Sequence, residues 1–310
     1  MKATRYMFAA AAALLFTSAA SAQTLQVDVV FRDFIGTGTT APNQGSAIAH
    51  PDFEFDSGFV NDVNNQDPFD GLGTSIIDAG IVQTTLGIDG VPVHTGGPTP
   101  VNTTNNNAAL FDSWFKDDPT FNTTINSTLG FEFDEGLGLF VFDTTEFFPI
   151  NGQGFGNTVD DDGLLLADTT PLNDAPEFSF NVLGDNDVQE GPNYHFTMHI
   201  NAEFDYLGGE VFNFTGDDDL WVFIDGELVV DVGGLHKALD GSVALDDLGF
   251  TLETTHEIDI FFAERHQNDS VFRIETSILF GDVIAPIPAP AALPAGLALL
   301  GLMGLRRNRK

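Results

Sequence analysis

Three consecutive carboxylates, Asp217, Asp218 and Asp219, stand immediately ahead of the apolar run Leu220-Trp221-Val222-Phe223-Ile224. Adjacent acids repel one another unless a cation or water lies between them. Calcium accepts such groups readily, completing a shell of about six to eight oxygens with carbonyls. By themselves the three acids suit a solvated acidic turn equally well. Their position at the mouth of a buried strand, where the backbone is held rigidly, favours a cation cradle. A second loop, Glu264-Arg265-His266-Gln267-Asn268-Asp269-Ser270, joins the apolar run 258–263 to a strand expected over 271–278. On an extended chain Glu264 and His266 share one face and Arg265 points the other way. Asn268 and Asp269 at the tip can offer side-chain oxygens. Taken alone, this loop is a polar hairpin with Arg265 paired to a neighbouring acid.

The elements that must position these groups read as strands. Residues 25–31 place Val27, Val29 and Phe31 on one face, and 131–133, 139–143, 177–182 and 194–206 are further alternating or apolar runs. Residues 220–224 and 227–231 flank Asp225-Gly226, a pair suited to a tight hairpin because both turn positions take positive φ. The first of these strands is apolar on both faces, so it belongs between two layers. Only 108–116, with Leu110, Phe111, Trp114 and Phe115, suggests a short helix, and 37–118 is loop-rich. The expected fold is all-β, a β-sandwich with long loop insertions and at most short helices.

Composition narrows the partners. All 46 acidic residues lie between Gln23 and Val283, against five basic ones, Arg32, Lys116, Lys237, Arg265 and Arg273. Such a surface repels phosphates, which argues against a nucleic acid partner. There is no cysteine, so stability must come from a large core or from bound cations. Lys2, Arg5 and the apolar run 8–16 ahead of Ser21-Ala22 read as a signal peptide over residues 1–22, cleaved before Gln23. The mature domain is then expected over 23–283. Residues 284–310 carry Ala285-Pro286-Ile287-Pro288-Ala289-Pro290, an apolar stretch 291–305 and a basic end. This order resembles the PEP-CTERM sorting signals of Gram-negative bacteria, in the variant built on Val-Pro-Leu-Pro-Ala. That resemblance implies an exosortase-type processing enzyme, membrane contact through the tail before processing, and display at the cell surface, outer envelope or extracellular matrix.

The body carries a second resemblance. The run from Gly216 through Asp231, then Gly233-Gly234-Leu235-His236, Ala263-Glu264-Arg265-His266 and Phe272-Arg273-Ile274-Glu275-Thr276 resemble the core of fibro-slime domains. Phe31-Arg32-Asp33-Phe34, His50-Pro51-Asp52-Phe53-Glu54 and the run from Asn151 to Asn157 fit the same pattern. Fibro-slime domains are related to PA14 β-sandwiches, found in adhesins, toxins and glycosidases. In sugar-binding PA14 adhesins an Asp-Asp pair joined by a cis peptide holds calcium, and calcium holds sugar hydroxyls. By that resemblance the pair is Asp217-Asp218, Asp219 replaces the usual glycine, and Asn268 is the calcium-contacting asparagine. The candidate metal ligands are therefore Asp217, Asp218, Asp219, Asn268 and Asp269, with His236, Glu264 and His266 as further ligand candidates. His236 fits equally a structural hydrogen-bonding role, and Trp221 a core role. The resemblance implies a calcium-dependent, glycan-binding surface or biofilm-matrix adhesin that meets surface glycans or exopolysaccharide. Its rivals are a purely structural matrix component and, less supported, a polysaccharide-active enzyme. Neither a Gly-x-Ser-x-Gly elbow nor a His-Glu-x-x-His helix is present, since Ile260 follows His256-Glu257 where the second histidine would stand.

Overall fold

A computed structural model describes residues 23–37, 39–40, 45–54, 77–99, 104–156, 159–160, 192–266 and 270–284. The expected strand at 177–182, the signal peptide and the sorting signal lie outside them. The strands in chain order are β1 (Thr24–Phe34), β2 (Thr39–Thr40), β3 (Asn122–Asp134), β4 (Leu139–Thr144), β5 (Val159–Asp160), β6 (Phe196–Tyr206), β7 (Val211–Gly216), β8 (Asp219–Ile224), β9 (Glu227–Val232), β10 (Leu239–Ala244), β11 (Thr254–Glu264), β12 (Phe272–Thr276) and β13 (Asp282–Ile284). The fold is all-β. An α-helix of one turn, α1 (Ala108–Phe111), runs into a 3₁₀ turn at Asp112–Trp114, so the helical signal at 108–116 is realised as two short pieces.

Eleven strands form one sheet in the order β10-β7-β12-β4-β3-β1-β6-β11-β8-β9, with β13 added to β1, while β2 and β5 pair separately. The sheet doubles over on itself. Phe262 of β11 meets Phe272 of β12 with ring centroids 4.9 Å apart, and Phe214 of β7 at 6.4 Å. Its two end strands also meet, because a Cβ on Gly241 of β10 would fall 2.6 Å from Val232 of β9. The result is a sandwich nearly closed into a barrel. Its interior is filled by the alternate residues that a period of two directs inward, among them Val27, Val29 and Phe31 of β1 and Ile258, Ile260 and Phe262 of β11.

The β8–β9 hairpin forms as its sequence requires, with Asp225 at φ 51° and Gly226 at φ 78°. Every residue of β8 is buried. Leu220, Val222 and Ile224 face the barrel interior. Trp221 and Phe223 face a second aromatic core with Phe261, Phe34, Phe53, Phe111, Trp114 and Phe115. The second layer over β8 is thus the loop-rich region around α1 and not another sheet.

That loop layer is fastened by the His50–Glu54 motif. The His50 ring bonds Ser113 Oγ at 2.9 Å and Leu110 O at 3.2 Å through Nε2, while its Nδ1 accepts from the Asp52 N–H. Asp52 accepts from Asn105 N–H at 2.7 Å and from Trp114 Nε1 at 3.3 Å. Phe53 stacks on Phe34 with centroids 4.2 Å apart.

The register assigns functions to the two poles of the barrel. Asp33 lies opposite Phe196, Phe196 opposite Glu264, and Ala263 opposite Asp219, so Glu264 and the start of β8 share one pole. Thr24, at the other end of β1, pairs with Ile284. The described ends of the domain therefore leave from the far pole, about 33 Å away for an eleven-residue strand.

Candidate functional site

Where β7 ends and β8 begins, Asp217 and Asp218 form the turn and are joined by a cis peptide bond. Asp217 exchanges hydrogen bonds with Val271 on the far side of the closing loop: its Oδ1 accepts the Val271 N–H at 2.6 Å, and its own N–H donates to Val271 O. Asp218 accepts from His236 N–H and Arg265 N–H, both at 3.1 Å. Asp219 accepts from Gly234 N–H at 2.5 Å and from Arg265 Nε at 2.6 Å. The three neighbours are thus divided between two tasks. Asp219, on the outward face of β8, is the counter-ion of Arg265. Asp217 and Asp218 remain at the pole with Glu264, the last residue of β11.

Arg265 is fully buried, and so is its partner Asp219. Its guanidinium carbon lies 4.6 Å above the Trp114 ring, and Nη1 donates to Asp52 O at 3.2 Å. Burial works against its charge, yet Asp219 and Asp218 raise the guanidinium above its ordinary value. With its side chain committed to Asp219, Trp114 and the His50–Glu54 motif, it leaves Asp217, Asp218 and Glu264 short of positive charge. Burial pushes the Glu264 carboxyl well up, and the neighbouring Asp218 and Asp217 push it further. Asp218 is likewise raised by burial, and Asp219 and Asp217 add to the effect against the pull of Arg265. Glu264 Oε2 is buried and has no hydrogen-bond partner among the described residues. The Ser270 side chain and the His266 N–H pull the Glu264 carboxyl back down, and a buried acceptor left over is costly unless a donor, a proton or a cation satisfies it.

The other candidates divide clearly. His236 is buried, its Nδ1 donates to Lys237 O at 2.9 Å, and burial pulls its imidazole down to about 4. It braces the turn that feeds Asp218 and Asp219, a structural role. Glu264 and His266 do not share a face as the extended spacing predicted, because β11 ends at Glu264. His266 Nε2 instead lies 3.4 Å from Glu54 Oε2, whose other oxygen is 3.0 Å from His195 Nε2. Asn268 and Asp269 lie outside the described residues, although Ser270 just beyond them is anchored by donating to Phe147 O at 2.9 Å. Trp221 is buried, with its indole N–H on Asp231 at 3.0 Å, and lies in the core.

Among the described residues, no group of three or more His, Cys, Asp and Glu side chains is drawn together closely enough to hold a metal ion. Asp217, Asp218 and Glu264 are buried and offer only oxygen atoms, the ligand type that a hard cation takes.

Residues 153–282 match the family described as the PA14 domain. Two relatives from Dictyostelium discoideum are similar over much of the chain. Protein psiD is 37% identical over 65% of this chain and 36% of its own length. Protein psiR is 35% identical over 72% of this chain and 21% of its own length. The chain therefore spans about a third or less of these curated relatives. Solved structures with local similarity include a PA14 sugar-binding domain from an RTX adhesin, at 15% identity and TM-score 0.23, covering 31% of this chain and 52% of that one. The PA14 domain of the antifreeze protein MpAFP aligns at 17% identity and TM-score 0.24, over 33% of this chain and 58% of that one. Overlaps that small carry over neither fold nor ligand.

Proposed function

We propose that this is an exported surface or matrix protein whose PA14-type sandwich binds calcium and, through it, glycan. The observation that carries this reading is the surplus of buried negative charge at one pole. Asp217 and Asp218 lie near enough to Glu264 to push its carboxyl up, while Arg265 is paired with Asp219 and Glu264 Oε2 has no hydrogen-bond partner among the described residues. In this reading Asp217, Asp218 and Glu264 hold the ion, and Asn268 and Asp269 complete its shell from the closing loop. Bound calcium would offer its remaining coordination positions to the hydroxyls of a sugar. The Val271 N–H orients Asp217, and the His236 and Arg265 N–H groups orient Asp218.

The polarity of the barrel supports display. The described ends of the domain, Thr24 and Ile284, pair with each other at the pole opposite the carboxylates. Export and exosortase-type anchoring at a Gram-negative envelope rest on the two terminal segments. The relatives named above come instead from Dictyostelium discoideum.

A glycan array probed with residues 23–283 in millimolar calcium and again in chelator tests the sugar. Calcium-dependent hits lost in Asp217→Ala/Asp218→Ala are the expected result. Calcium binding without any hit on a broad array would replace the sugar reader with a structural matrix component.

A further inference from the structure

The pole that carries the carboxylates also displays two aromatic rings. Phe148 and Tyr194 are only half-buried, although the chain on either side of them is buried: Phe147 and Ile150 flank the first, Asn193 and His195 the second. The two rings meet edge to face, with centroids 4.9 Å apart and planes at 73°. Aromatic residues in this domain are otherwise spent on the interior. Phe147 stacks on Phe272 in the barrel core with centroids 4.3 Å apart. The other half-buried phenylalanines among the described residues, Phe121, Phe133, Phe142 and Phe250, pack against one of the two cores. Phe148 and Tyr194 instead pair with each other across two loops at the rim.

Those loops are held in place. Phe148 O accepts from Asn151 N–H at 3.3 Å and Ile150 O from Gln153 N–H at 2.9 Å, closing two successive turns. Asn151 Oδ1 accepts from Asn193 N–H at 2.7 Å, which ties the loop of one ring to the segment of the other. Further along, Phe155 N–H donates to Asp33 Oδ2 at 2.6 Å. Gly154, at φ 59°, allows that approach, since a Cβ there would fall 2.2 Å from the same oxygen. The rings also stand beside the closing loop. Phe147 donates its N–H to Ser270 O and accepts from Ser270 Oγ, each at 2.9 Å. The next residue, Val271, donates its N–H to Asp217 Oδ1 at 2.6 Å.

We propose that Phe148 and Tyr194 form a stacking platform for a neutral hexopyranoside, beside the corner formed by Asp217, Asp218 and Glu264. The proposal rests on the reading of this pole as a calcium-dependent glycan site and supplies what that reading lacks, a surface for the apolar side of the sugar. A pyranose carries hydroxyls around its rim and C–H bonds across its faces. One ligand can therefore give oxygen to a cation and lay a C–H face on an aromatic ring. Ligand sites commonly combine aromatic walls with a few polar groups in this way. The sugar is neutral because a body with 46 acids against five basic residues repels sulfated and uronate chains.

The test is an NMR titration of ring-labelled residues 23–283 with methyl β-D-glucopyranoside and methyl β-D-galactopyranoside, in millimolar calcium and in chelator. Calorimetric titration with calcium runs beside it. The ring signals are assigned by their loss in Phe148→Leu and Tyr194→Leu. The expected result is a saturable shift of both rings in calcium, with sugar affinity about tenfold weaker in either leucine variant. Tyr194→Phe, which keeps the ring, retains the affinity, and calcium binds equally well to all three variants. Unchanged sugar affinity in the leucine variants overturns the proposal. Calcium binding that weakens along with sugar binding also overturns it, because the rings are then braces of the closing loop. Calcium bound with neither sugar moving the rings overturns the platform and leaves the calcium reading standing. Ring shifts that persist in chelator, in a protein that binds no calcium, support the platform and overturn the calcium reading instead.

Discussion

Millimolar calcium raises the melting temperature of residues 23–283 by about 5–10 °C, and Asp217→Ala/Asp218→Ala abolishes the rise. The size follows from mass action. An ion at a hundred times its dissociation constant stabilises the state that binds it by about 2.7 kcal/mol. In a domain of this length each kcal/mol moves the midpoint by about 2–4 °C. The variants carry a second signature. Without calcium, removing two buried carboxylates relieves the charge that raises Glu264, so the double variant in chelator should melt no lower than the wild type corrected for lost hydrogen bonds. Each Asp217 and Asp218 bond supplies about 1 kcal/mol. Differential scanning calorimetry with and without chelator reads both effects. Equal shifts in wild type and double variant would move the ion elsewhere on this acidic surface.

Arg265→Ala should cost about 3–5 kcal/mol in equilibrium denaturation, because it strands Asp219 as a fully buried, uncompensated charge. Arg265→Lys should recover little of it. A single ammonium cannot bond Asp219 through one nitrogen, reach Asp52 O through another and lie flat on Trp114 at the same time. Arg265→Leu combined with Asp219→Leu removes both charges and should regain more stability than either single change. Urea melts of these variants settle the point. A loss under about 1 kcal/mol for Arg265→Ala would mean that the pair is solvated and does not divide the three aspartates as described.

The sequence showed the hairpin at Asp225-Gly226 because its signal is local: two adjacent residues that accept positive φ between apolar runs. It showed equally that β8 is covered on both sides, since no residue from Leu220 to Ile224 is polar. What covers its outer side was not legible. Trp114, Phe111 and Phe53 reach Trp221 across more than a hundred residues, and nothing in their spacing distinguishes a loop that packs from one that does not.

The candidate site was half legible for the same reason. Three adjacent acids advertise themselves, but their division does not. Asp219 meets Arg265 from 46 positions away, on the face of β8 that also carries Trp221 and Phe223. Glu264 stood in the sequence among the further ligand candidates, on a face shared with His266, whereas β11 ends at Glu264 and His266 turns to Glu54.

Anomalous scattering from a crystal of residues 23–283 grown with a calcium-like lanthanide tests the central claim most directly. A single strong peak within coordination distance of Asp217, Asp218 and Glu264 Oε2, absent from crystals of Asp217→Ala/Asp218→Ala, is the result expected. Ordered carboxylates with no peak among them at saturating ion, and Glu264 bonded instead to a protein group or to water, would contradict it.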